Sequence, residues 1–114
     1  MPNEKNFDFL NKNERAGKPR DVGITEIRGP YYSVIGKRQL RDLMELAGDY
    51  VDSVKFAGGA FSLMPKKAVT DFIDIAHEYD AKVSTGGFME YVLTQGNEAV
   101  DKYIEACKEY GFDI

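Results

Sequence analysis

Apolar residues recur along this chain in two rhythms. In Val51-Asp52-Ser53-Val54-Lys55-Phe56-Ala57 they alternate, with Val51, Ser53, Lys55 and Ala57 on one face and Asp52, Val54 and Phe56 on the other. The pattern predicts a strand that ends in the pair Gly58-Gly59. Val22 to Ile27 alternates in the same way and predicts an earlier strand, stopped by Gly29-Pro30. Tyr31 to Gly36 then reads as a loop whose Tyr31 and Tyr32 are able to line a pocket. Ala81 to Thr85 predicts a third strand, and it too runs into a glycine pair, Gly86-Gly87. Between the strands the rhythm changes to the helical one. Leu40, Leu43, Met44 and Ala47 form one stripe with Gly48 as its C-terminal cap, and Val69, Phe72, Ile73 and Ala76 form another between Pro65 and about Tyr79. Phe88 to Thr94 suits a short helix. Val100, Tyr103, Ile104 and Cys107 stripe a longer one, which Gly111 closes, and Phe112-Asp113-Ile114 reads as the start of a fourth strand.

The order β-α-β-α-β-α-α-β predicts an α/β fold of parallel strands joined by right-handed crossovers. In such folds ligands gather at the carboxyl ends of the strands, where both glycine pairs fall. A closed (β/α)8 TIM barrel typically takes roughly 250 residues, so about three and a half units predict its N-terminal half. Residues 1–20 are a polar arm with a sticky patch at Phe7, Phe9 and Leu10, and residues 21–114 form the partial barrel domain. The sequence stops just as the fourth strand begins, which predicts a truncated or incomplete form. Half a barrel would leave strand edges open, so self-association into a homo-oligomer is expected.

Composition narrows the function. With 15 basic against 19 acidic residues, a net charge of −4 and no basic cluster, nucleic acid is not an expected partner. No apolar run is long enough to span a bilayer, and MPNEKNFDFL lacks the pattern of a secretory signal, so a cytoplasmic protein with no membrane partner is expected. The single Cys107 and single His77 cannot assemble a thiolate or Cys-His metal site, and Cys107 reads as a core thiol. His77, beside the second stripe, reads as a surface residue.

Lys55 is the first candidate for chemistry. An ammonium placed mid-strand among apolar neighbours needs an anion or a solvated opening, and it could serve as a fixed charge for a carboxylate, a phosphate or a developing enolate. A snorkelling stem or a structural ion pair is the alternative. Gly58, Gly59, Gly86 and Gly87 leave bare backbone whose N–H groups could hold an anion, or they simply make tight turns. Arg28 is a candidate anion contact, and Glu26 and Glu90 are candidate Mg²⁺ ligands, since hard cations prefer carboxylate oxygen. Each also suits an ordinary strand or helix end. No P-loop or Rossmann glycine pattern is present, so nucleotide binding has no support.

Several segments together resemble the phosphosulfolactate synthase family: Lys18-Pro19-Arg20 with Gly23, Gly48-Asp49-Tyr50-Val51-Asp52, Val54-Lys55-Phe56 with Gly59, Lys82-Val83 with Gly86-Gly87, Lys102-Tyr103, Cys107-Lys108 and Gly111-Phe112-Asp113. The resemblance covers residues 18–114 and implies a (β/α)8 barrel that adds sulfite to phosphoenolpyruvate with Mg²⁺, a lyase of coenzyme M biosynthesis giving (2R)-3-phosphosulfolactate. That chemistry suits the site read from the residues, with Lys55 as the catalytic charge, Arg28 and the four glycines as substrate contacts, and Glu26 and Glu90 as metal ligands. The chain differs from the family at Ala57-Gly58-Gly59-Ala60-Phe61, where a glycine-tryptophan-glycine-threonine-serine run is usual. It also places Arg28 near the usual strand-one acid and Glu90 one position early. These differences resemble the branch containing plant heat-stress-associated relatives, so a non-catalytic stress or interaction protein on the same scaffold is the alternative. An independent four-stranded α/β binding domain is a third.

Overall fold

The computed structural model describes residues 5–31 and 35–114, so Tyr32 lies outside the described residues. Three short strands, β1 (Glu26–Arg28), β2 (Ser53–Lys55) and β3 (Lys82–Ser84), form a parallel sheet in the order β1-β2-β3. Helix α1 (Lys37–Ala47) joins the first two and α2 (Lys66–Glu78) joins the second and third, while α3 (Met89–Leu93) and α4 (Asn97–Tyr110) follow β3. This is a succession of β/α units, as the alternating rhythms predict.

The helical stripes do what their spacing requires. Leu40 and Met44 of α1, and Val69, Phe72, Ile73 and Ala76 of α2, are buried with Val54, Phe56 and Val83 of the sheet in one core. Phe56 is its centre, meeting the edges of Phe72 and Phe112 at centroid distances of 5.0 and 5.5 Å. Each such side chain contributes about 1.5–3 kcal/mol on leaving water. The stripe of α4 is less covered: Ile104 remains exposed and Cys107 half-buried. Gly111 closes α4 in the left-handed conformation, φ 98°, with its N–H donated to Cys107 O and Lys108 O.

Two expectations, the bounds of the first strand and the existence of a fourth, need correction. The first strand is Glu26–Arg28 and not Val22 to Ile27; Val22 and Ile24 are exposed. Gly23 turns the chain at φ 68°, and the Arg15 guanidinium takes Gly23 O at 2.8 Å, so this stretch follows the arm and joins no ladder. Gly48 caps α1 as expected, with right-handed dihedrals and its N–H donated to Met44 O. Its lack of a side chain also makes room for Tyr79, whose ring would lie 3.1 Å from a Cβ there. Phe112 to Ile114 forms no fourth strand. Asp113 and Ile114 both donate their N–H to Val83 O, but Asp113 Oδ2 accepts the Val83 N–H at 2.8 Å where a ladder carbonyl would be, and it also meets His77 Nε2.

The arm fastens the amino ends of all three strands. Arg20 donates to Asp52 Oδ1 at 2.8 Å just before β2, with both side chains nearly sealed from solvent. Arg15 reaches Thr25 Oγ1 before β1, and Lys18 donates to Gly48 O and Tyr79 O, the latter shortly before β3. Asp52 also accepts the Thr25 N–H. Burial alone would raise the Asp52 carboxyl, but that N–H and the guanidinium groups of Arg20 and Arg15 together hold it below its ordinary range. Burial pushes the Lys18 ammonium down, against the pull of Asp52 and Asp80.

Candidate functional site

Register decides which side chains share a face. Glu26 lies opposite Ser53, and Ser53 opposite Lys82; one step on, Arg28 lies opposite Lys55, and Lys55 opposite Ser84. Ile27, Val54 and Val83 take the intervening positions and turn toward the helices. The other face therefore carries Glu26, Arg28, Ser53, Lys55, Lys82 and Ser84. It is polar throughout.

Arg28 and Lys55 end their strands side by side. Among the described residues neither has a carboxylate partner. The Arg28 guanidinium lies over the Tyr31 ring, 4.9 Å from its centroid, a contact that orients the cation while leaving its charge uncompensated. Lys55 is half-buried, and its Cγ and Cδ run past Gly86, 3.3 Å from where a Cβ would stand. It is thus at a strand end rather than mid-strand, with its stem covered and its head at the rim.

The glycines are demanded by close approach as well as by conformation. Gly58, Gly59 and Gly86 have φ of 62°, 70° and 65°. A Cβ at Gly58 would stand 2.6 Å from the Tyr31 ring, one at Gly59 2.4 Å from Phe88, and one at Gly86 2.6 Å from Phe56 O. Gly87 has open space around it. None of the four N–H groups donates to a backbone or side-chain acceptor among the described residues. The turn requirement explains the residue type, and the idle N–H groups are what an anion could use.

Glu26 sits one level below the two cations. Its Oε2 accepts the hydroxyl of Ser53 at 2.7 Å and that of Ser84 at 3.4 Å, and both serines are buried. Glu90 is exposed in the first turn of α3, where a negative charge suits the helix dipole. The described residues contain no group of three or more His, Cys, Asp or Glu side chains able to hold a metal unaided. Mg²⁺ is commonly held by one or two carboxylates together with waters and substrate oxygens, and Glu26, with Oε1 uncommitted, fits that mode.

Ser53 and Ser84 escaped the sequence reading because serine in a strand is unremarkable; the available signal was that Ser53 shares its alternation phase with Lys55. Phe61, in the segment that departs from the family pattern, turns inward against Phe56 and Phe88 at 5.7 and 5.3 Å. A concavity of about 570 Å³ lies away from the rim between α1 and α2, where Lys37 and Lys67 are both paired with Asp71. It reads as a solvated seam between helices. Burial raises the Cys107 thiol above its ordinary range. No helix among the described residues is long and apolar enough to cross a membrane.

Comparison with known proteins adds three findings. Residues 13–114 match the family model described as (2R)-phospho-3-sulfolactate synthase (ComA). The chain is 44% identical over 105 residues to protein HEAT-STRESS-ASSOCIATED 32 of Arabidopsis thaliana, covering 92% of this chain and 37% of that protein. It is 34% identical over 107 residues to a phosphosulfolactate synthase of Methanothermobacter thermautotrophicus, covering 94% of this chain and 40% of that enzyme. The chain thus spans about two fifths of the length of these curated relatives.

Proposed function

The chain belongs to the (2R)-phospho-3-sulfolactate synthase family, and on that premise we propose that it supplies the first β/α units of a (β/α)8 barrel whose intact form adds sulfite to phosphoenolpyruvate. The observation that carries this reading is the pair Arg28 and Lys55, adjacent in register at the carboxyl edge with no carboxylate partner among the described residues. Two uncompensated cations beside four idle glycine N–H groups suit a small molecule bearing both a carboxylate and a phosphate. The carboxyl edge is also where the chemistry of such barrels lies.

The reaction makes a sulfur–carbon bond at the substrate's methylene. The double-bond electron pair moves toward the carboxylate, and a proton is then taken up at the phosphate-bearing carbon. Charge therefore grows on the carboxylate during attack. Lys55 would stabilise that charge, and Arg28, which lies over the Tyr31 ring, would hold an acidic group in position. Gly58, Gly59, Gly86 and Gly87 offer N–H groups to the phosphate. Glu26 and Glu90 would hold Mg²⁺, which when bound supplies further positive charge to the substrate oxygens.

Lys55→Ala is expected to abolish measurable phosphoenolpyruvate binding by isothermal titration calorimetry while the far-ultraviolet circular dichroism stays unchanged. Unaltered binding would end the assignment of Lys55. The 44% identity to the plant protein favours a second reading, a stress-associated role on the same scaffold without turnover. Phosphoenolpyruvate binding with no sulfite-dependent product in the unmutated protein would select it.

A further inference from the structure

Ser53 and Ser84 are buried polar residues of the sheet, and both turn their hydroxyls to one oxygen of one carboxylate. Glu26 starts on β1, meets Ser53 directly across on β2, and reaches Ser84 on β3, one register step further along. Its side chain is thus drawn diagonally over the sheet, from the level of Ser53 toward that of Arg28 and Lys55. A glutamate on an exposed edge strand otherwise samples many rotamers. Two hydroxyl donors on Oε2 select one of them and leave Oε1 with no hydrogen bond among the described residues. Lys55, two residues beyond Ser53 on β2 and directly across from Ser84, shares this face yet forms no ion pair with Glu26, so the serines and not the lysine fix the carboxylate.

We propose that Ser53 and Ser84 are positioning residues that tie down one oxygen of Glu26 and present the other to a divalent cation. This rests on the reading of Glu26 as a metal ligand given above. Hydrogen bonds to a ligating carboxylate commonly set metal affinity as strongly as the ligand's own placement, and losing one typically costs about tenfold or more. Ser53, at 2.7 Å, is the principal anchor, and Ser84, at 3.4 Å, the lesser one.

The test is titration with Mn²⁺, followed by electron paramagnetic resonance, alongside titration with inorganic phosphate. Ser53→Ala is expected to weaken Mn²⁺ binding by about tenfold or more, Ser84→Ala to weaken it less, and Ser53→Thr, which keeps the hydroxyl, to preserve it. Phosphate binding stays unchanged in all three, because Arg28 and Lys55 are untouched. If Ser53→Ala and Ser84→Ala both keep full Mn²⁺ affinity while Glu26→Gln loses it, the positioning role is overturned and the metal reading stands. If the unmutated protein binds no Mn²⁺, both are overturned. A parallel loss of Mn²⁺ and phosphate binding would reduce the serines to a structural role and also overturn the proposal.

Discussion

The two ends of one small sheet treat charge in opposite ways. At the amino end Arg15, Arg20 and Lys18 each reach acceptors across the strand entries, and Asp52 accepts hydrogen bonds from both Arg20 and the Thr25 N–H. At the carboxyl end Arg28 and Lys55 have no carboxylate partner among the described residues, and four glycine N–H groups have no acceptor. Charges that satisfy one another stabilise a fold; charges left open are available to a ligand. The same division separates the roles of the two faces in β/α barrels.

Breaking the closed end should have the largest effect on stability. Asp52→Ala leaves the buried Arg20 guanidinium unpaired, and a loss of about 3–5 kcal/mol is expected from the urea midpoint. Acid provides a gentler form of this test. Asp52 has a folded pKa below its unfolded value, so its contribution is complete above the ordinary carboxylate range, about 3.9, and is lost as pH falls toward the folded value. The stability gap between the unmutated protein and Asp52→Asn should therefore be constant near neutrality and narrow in strong acid. A gap that widens in acid would contradict the pairing.

The open end yields smaller and more selective effects. Gly86→Ala forces a Cβ to within 2.6 Å of Phe56 O at a left-handed φ, and about 1–3 kcal/mol of destabilisation is expected. Gly87→Ala meets nothing within 4 Å and should change stability by no more than about 0.5 kcal/mol. Equal melting temperatures for the two variants would show that the pair does not divide in this way. Lys55→Ala should cost under about 1 kcal/mol of stability, because only the packing of its stem is lost.

Much of this architecture could be read from the sequence. The stripe Val69, Phe72, Ile73, Ala76 is buried residue for residue, and the three strands fall inside or beside the alternating segments. Alternation misled at Val22 and Ile24, because a left-handed turn at Gly23 outweighs β propensity there. The arm's fastening was invisible because Arg20 and Asp52 are 32 residues apart and leave no local period. At the rim, Lys55 and the glycine pairs stood out through residue type and position. The serine anchors did not, since their meaning comes from register with Glu26, which only the assembled sheet provides.

The rings seated on the glycines also govern how the rim opens. Tyr31, from the loop after β1, packs on Gly58, and Phe88, from the loop after β3, packs on Gly59, so neighbouring loops hold each other through the exit of β2. Packing of this kind is expected to make Gly58, Gly59 and Phe88 exchange their amide hydrogens together, with one opening free energy, rather than residue by residue. A ligand held at the rim beside Lys55 is then expected to slow exchange at all three positions at once, a pattern that hydrogen-exchange measurement would read directly.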